Sequence, residues 1–144
     1  MDIVSALILA VVAYLVCKFF AVASKGRAQR IERATTEAER LPAYKAAYRD
    51  LDIVGKSHRQ HVLRQLWDDG ADDTFTAIMI PENDNPHDRN AVRVEVEGRH
   101  VGYLSRETAK DYCAYMNDQR RAVPVHLVMG GPEDTIGIFT GRKH

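Results

Sequence analysis

The sequence predicts a mainly β domain with two helices, set behind an N-terminal transmembrane helix and a helical linker. Three observations carry this reading. Ile3 to Val16 is almost unbroken Ile, Leu, Val and Ala, and with Phe19, Phe20 and Val22 the run reaches about 20 residues, the length a helix needs to cross a bilayer. After residue 52, short runs with apolar residues at period two recur between Gly, Pro, Asn and Asp, which is the pattern of half-buried strands. Between two of these runs lies NDNPHDRN, Asn83 to Asn90, a loop dense in side-chain donors and acceptors.

The first segment, residues 1–23, holds Lys18 as its only charge within the apolar run. One turn from the end, a lysine reaches the headgroups by extending its stem along the helix. A cleaved secretory signal is the rival reading, because Ala21-Val22-Ala23 has the small-x-small form of a cleavage site. A signal starts positive, however, and here Asp2 precedes the run while Lys25, Arg27 and Arg30 follow it. Positive charge stays on the cytoplasmic side, so the expectation is a single-pass membrane anchor with a cytoplasmic C-terminal domain. A buried core helix is disfavoured, since the run has no polar face to show to water.

Residues 24–51 form the linker, with seven Lys and Arg against four Asp and Glu. Alanines and paired charges from Arg27 to Arg40 predict a helix with Ile31, Ala34, Ala38 and Leu41 on one stripe, interrupted by Pro42. A solvated stalk is the expectation, with an anionic-lipid contact or a weak coiled coil as alternatives. Ala43 to Leu51 predicts a further short helix with Tyr44, Ala47, Tyr48 and Leu51 on one side.

Residues 52–144 form the β domain. Ile53-Val54 starts the first strand, and Ser57 is placed to cap a helix whose buried face is Val62, Leu63, Leu66 and Trp67, closed by Gly70. Thr74 to Ile80 is a strand stopped by Pro81. Asn85-Pro86 stiffens the polar loop, because proline presets φ and asparagine bonds its own backbone. Ala91 to Val96, AVRVEV, is a strand with one buried face; Glu97-Gly98 turns the chain, and His100 to Leu104 returns. Gly102 inside that return marks a bulge or a place where another backbone or a ligand comes close. Ser105 caps a second helix with Ala109, Tyr112, Cys113 and Met116 as its core stripe, and Val123 to Met129 and Thr135 to Thr140 are strands around a Gly130-Gly131-Pro132 turn. The total is five or six strands and two helices.

DNPHDRNAV (Asp84 to Val92), the hairpin after it, VGYLSRE (Val101 to Glu107) and the upstream DIVGKSHRQ (Asp52 to Gln60) resemble, in order, the HIRAN domain in its bacterial branch. The resemblance implies a small β-barrel of the OB and SH3-like kind. It also implies capture of single-stranded DNA by its free 3′-hydroxyl end, with a place in DNA repair and a helicase, nuclease or other protein as further partner. Under it, Asp88 aligns with the carboxylate that accepts from the 3′-hydroxyl, and His87 with the aromatic neighbour lining the pocket. Asn85 and Asn90 would fix the loop or reach the sugar, and Arg106, at a capped helix start, aligns with a phosphate contact. Tyr103 aligns with a ring in the groove that stacks on a base. The sequence departs from the DNA-binding pattern after the first strand, where arginine and aromatic residues grip terminal bases and this chain has Ser57-His58-Arg59; His58 and Arg59 are the candidates for stacking and phosphate contact there. Each residue also has a plainer role: Asn85, Pro86 and Asn90 as turn formers, Asp88 as a loop cap, Tyr103 as a half-buried barrel residue and Arg106 as a solvated helix residue.

Composition limits the alternatives. From Asp52 onward, twelve Lys and Arg face fifteen Asp and Glu, an excess of acid that argues against a broad phosphate footprint and leaves room for a site gripping one strand end. It also keeps alive a membrane-tethered protein-interaction module. A metal-dependent phosphodiesterase built on Asp84, His87 and Asp88 lacks the further converging carboxylates that two-metal chemistry needs. His58 and His61 lack a partner motif for zinc, and the Asp68 to Asp73 run lacks EF-hand spacing. No catalytic residue, cofactor or metal is expected. The cysteines, Cys17 and Cys113, cannot form a disulfide framework, and Cys113 is expected as a core filler.

Overall fold

In the computed structural model, which describes residues 2–43, 51–70, 74–130 and 135–141, six antiparallel strands form a nearly closed barrel behind one long helix. The elements are α1 (Ile3–Arg40), β1 (Ile53–Val54), a 3-10 turn (Lys56–Arg59), α2 (Gln60–Asp69), β2 (Thr74–Pro81), β3 (Val92–Val96), β4 (Arg99–Leu104), α3 (Arg106–Met116), β5 (Arg121–Met129) and β6 (Ile136–Thr140). Strand order is β1-β4-β3-β2-β5-β6.

Alternation sets the inside of the barrel. On β3, Val92, Val94 and Val96 are fully buried while Arg93 and Glu95 face outward. Val101 and Leu104 of β4, Val123, Val125 and Leu127 of β5, and Ile136 and Ile138 of β6 complete the core with Leu63 and Leu66 of α2. Side chains close the gap between the edge strands. The Gln60 amide donates to the carbonyls of Lys56 and Ile136 at 3.0 Å each and accepts from the Ile136 N–H at 2.8 Å, as a paired strand would. At the other end of β6, the Leu51 N–H donates to Thr140 Oγ1 at 3.0 Å.

Glu97 and Gly98 both take positive φ in the β3–β4 turn. The register between these strands shifts by one residue at Val94/Glu95, leaving Val101 as the extra residue of a bulge on β4. Gly102 lies against β1 so closely that a Cβ there would stand 2.6 Å from the Val54 carbonyl oxygen. Both expectations for Gly102 therefore hold. Ser57 does not cap α2: Gly55, at φ 78°, starts the 3-10 turn, and Ser57 lies inside it. Gly70 closes α2 through its N–H to the Leu66 carbonyl, and Ser105 caps α3 by accepting from the Thr108 N–H. The short helix expected over Tyr44 to Tyr48, and the Gly131-Pro132 part of the turn, lie outside the described residues.

The solvated stalk is corrected by packing. α1 runs unbroken through residues 23 and 24, and its stripe at Ile31, Ala34, Ala38 and Leu41 turns toward the barrel. Ala38 and Leu41 cover Ile78, Ile80 and Ala122 on the outer face of β2 and β5. β2 is thus buried on both sides, with Ala77 and Met79 inside and Ile78 and Ile80 beneath the helix. Ion pairs hold both ends of the contact: Arg27 with Asp69 and Arg120 with Glu37. By length and composition the helix is long and apolar enough to cross a membrane, and its apolar stretch has no residue buried against the protein.

Two substitutions test this architecture. Gly102→Ala should destabilise the domain by about 1–3 kcal/mol through overpacking at β1, read as a lower urea midpoint. Ala38→Glu places a charge in an apolar contact. It should expose residues 27–41 to limited proteolysis while the barrel stays resistant.

Candidate nucleic-acid interface

The loop between β2 and β3 is built by its own side chains. Asn85 Oδ1 accepts from the N–H groups of His87 (3.0 Å) and Asp88 (3.4 Å), and Asp88 Oδ1 accepts from the Asn90 N–H at 2.9 Å. The Asp88 carbonyl accepts from Ala91 N–H, and the Asn90 carbonyl accepts from the Cys113 thiol, which ties the loop to α3. Burial, with the neighbouring Asp118 carboxylate, pushes the Cys113 thiol up to about 11, which keeps it protonated in the core.

Glu82, at the foot of the loop, is the hub that sequence reasoning missed. Its Oε2 accepts from Asn85 Nδ2 at 3.0 Å and from the Tyr103 hydroxyl at 3.2 Å, while Oε1 pairs with Arg93 Nε at 3.1 Å. One carboxylate therefore joins the end of β2, the loop, β3 and β4. Arg93 lies directly opposite Tyr103 in the ladder, and His100 meets the Tyr103 ring edge-on at 4.7 Å between centroids. Burial and then the Glu82 charge raise the Tyr103 hydroxyl, which keeps it a donor. Burial, with the nearby Arg59 charge, lowers His100 and keeps its imidazole neutral at neutral pH. Two signals pointed to this strip: Glu82 directly precedes the polar loop, and Arg93 occupies the outward phase of AVRVEV.

The second part of the site joins the loop to the start of α3. Asp88 Oδ2 lies 3.4 Å from Arg106 Nε; Asp88 is largely covered, whereas the Arg106 side chain is 86% exposed. Arg106 opens α3, where first-turn amides favour an anion. The structure thus brings together Asn85, Asp88, Asn90 and Arg106, links them through Glu82 to Tyr103, and sets Arg59 near Tyr103. His87 is exposed on the loop. His58 is exposed on the 3-10 turn with its N–H on the Gly55 carbonyl, and no hydrogen bond or ring contact joins it to the others among the described residues. Asn83 to Asn90 and Asp118 line a polar concavity of about 700 Å³. Among the described residues, no three His, Cys, Asp or Glu side chains are grouped to hold a metal ion.

The family model of the HIRAN domain matches residues 44–139. The chain belongs to the HIRAN family. This family is a class of binding modules associated with nucleic acid, and the match spans the barrel, the polar loop and α3 of this HIRAN chain. No curated protein and no solved structure matches it.

The His100 environment gives a pH test. Because its folded value lies below the ordinary 6.5, the unfolded chain binds more protons, so stability falls as pH drops below about 6.5 toward the folded value. His100→Gln should flatten that part of the profile, measured as urea midpoints between pH 5 and pH 7 relative to the parent.

Proposed function

We propose that this HIRAN chain is a membrane-anchored module that captures single-stranded DNA by a free 3′-hydroxyl end, with no catalysis of its own. The observation that carries the proposal is the pairing of Asp88 with Arg106. A carboxylate acceptor fixed by the loop and an exposed guanidinium at a helix start lie within one contact. A terminal nucleotide offers the complementary pair, a hydroxyl donor and a phosphate, on a single sugar. Asp88 would take the hydroxyl proton's hydrogen bond with Oδ2, since Oδ1 is occupied by Asn90 N–H. Arg106 would swing to the phosphate, aided by the α3 amides. Tyr103, tethered by Glu82 and braced by His100, supplies a ring for a base; such stacking contributes about 1–3 kcal/mol. His87, Asn85 and Asn90 would border the sugar, and Arg59 and His58 are the candidates for contacts with the next nucleotides.

Anchoring follows from α1. With residues 3–22 in the bilayer, the flanking Lys25, Arg27 and Arg30 favour a cytoplasmic domain, since positive charge is retained on that side. The site lies at the end of the barrel reached by the C-terminal half of α1, beyond Ile80, while the opposite end carries the β3–β4 turn beside Arg30. From Ala23 to Ala38 the helix rises about 22 Å, so the site is displayed away from the membrane. The excess of acid in the domain favours one other reading, a protein-interaction module, which differs in its salt response.

The test uses the full chain in neutral-lipid nanodiscs, because removing α1 would bare Ile78, Ile80 and Ala122. Anisotropy titrations with two short single strands, one ending in a 3′-hydroxyl and one in a 3′-phosphate, should favour the hydroxyl by about tenfold, the worth of one charge-assisted hydrogen bond. Asp88→Asn keeps the acceptor for Asn90 N–H and should abolish the preference. Equal binding of both strands by the parent would overturn hydroxyl capture, and no binding to either at low salt would favour a protein partner.

A further inference from the structure

The end of the barrel opposite the candidate site carries a second concentration of charge. Gly26, Arg27 and Arg30 of α1 meet Gln65 and Asp69 of α2 and Arg99 of β4 around a cleft of about 450 Å³. Three guanidiniums share it with one carboxylate. Arg27 Nη2 and Arg99 Nη2 both go to the same Asp69 oxygen, the latter at 3.0 Å, and Arg99 lies 3.9 Å from Glu97. Burial alone would raise the Asp69 carboxyl, but the hydrogen bonds from Arg27 and Arg99 overcome it and hold the group below its ordinary value, so it stays ionised. The Arg99 side chain is only 10% exposed, and its Nη1 and the neighbouring Glu97 Oε2 are both buried without a hydrogen bond among the described residues. Such groups are costly to leave unmet. Asp69 Oδ2 is shared by two arginines, and Arg30, whose stem lies over Gly98, adds a third positive charge to the cleft.

Depth decides what anion the cleft can meet. α1 is continuous, so its rise fixes each residue's distance from the bilayer. If residues 3–22 fill the hydrocarbon, about 30 Å thick, then residues 23–30 occupy roughly the next 12 Å, the layer of headgroups. The docking of α1 carries Gln65, Asp69 and Arg99 of the barrel to that same level.

We infer that this cleft is a binding site for the phosphate of an anionic membrane lipid, held by Arg27, Arg30 and Arg99 at the junction of helix and barrel. The inference rests on the membrane reading of α1 and deepens it: the lipid would lock the barrel upright against the bilayer, with the nucleic-acid site facing outward. The phosphate balances the excess of three guanidiniums over the Asp69 and Glu97 carboxylates. Arg30 is the member with most to give to the ligand, since Arg27 and Arg99 already share Asp69.

The full chain is placed in nanodiscs of phosphatidylcholine alone and of phosphatidylcholine with phosphatidylglycerol, and hydrogen exchange is followed in the peptides covering residues 62–70 and 96–102. Anionic lipid should slow exchange there by about fivefold, the factor that one basic side chain gains near an anionic surface. Arg30→Gln, which leaves both Asp69 pairs intact, should reduce the difference to within about twofold. Equal exchange in the two lipids overturns the headgroup site, as does a variant that keeps the parent's full lipid effect. Slowing of the same size by inorganic phosphate added to phosphatidylcholine discs overturns the lipid as its source. Flotation with vesicles of both compositions separates the readings: a chain that floats with both yet shows no exchange difference loses only the headgroup site, and one that floats with neither loses the anchor.

Discussion

One carboxylate, Glu82, determines whether the rest of the site has a shape. It stands where β2 ends and receives Asn85, Tyr103 and Arg93 from three different segments. Without it, the Asn85 amide has no fixed orientation to turn its Oδ1 toward the His87 and Asp88 amides, and Tyr103 loses the acceptor that sets its ring. The loop's internal hydrogen bonds are local, of the Asx kind, and local bonds of this kind compete with many other loop conformations. Anchoring them to a strand end and to a cross-strand pair turns one loop conformation into the preferred one. The cost of ordering is thereby met in folding rather than on binding.

A second constraint comes from β2, whose two faces are both apolar. The inner face belongs to the barrel, and the outer face needs a cover that the barrel does not possess. The stripe of α1 provides it, and because α1 has no break, the same contact fixes how the barrel stands relative to the apolar half of the helix. The polar loop and the basic cleft consequently fall at opposite ends of the barrel. Packing of a few small side chains, Ala34 and Ala38 among them, brings the helix close enough for Arg27 and Glu37 to reach Asp69 and Arg120.

Most of the barrel was legible in the sequence because its strands follow period two and its helices carry apolar stripes. Val92, Val94 and Val96 were placed inside, Ser105 was placed as a cap, and Gly102 was marked as a close approach, all from residue type and spacing. Docking of α1 was not foreseen, although a signal existed: Ala77 to Ile80 is apolar at every position, the mark of a strand covered on both sides. A pattern read along one element cannot say which other element covers it. Ser57 was misassigned because Gly55 can adopt positive φ and start the turn two residues earlier. Within the site, Asn85, Asp88, Tyr103 and Arg106 were singled out by resemblance to a known family. Glu82 and His100 were missed because their importance lies in partners far along the chain, which only strand register brings together.

In the proposed capture, Asp88 and Arg106 act as one grip on adjacent groups of a strand end. A double-mutant cycle with Asp88→Asn and Arg106→Gln, read as affinity of the full chain for a single strand with a 3′-hydroxyl, tests it most directly. The two losses should fail to add, with a coupling of about 1 kcal/mol or more. Strictly additive losses, or no loss from either substitution, would contradict it.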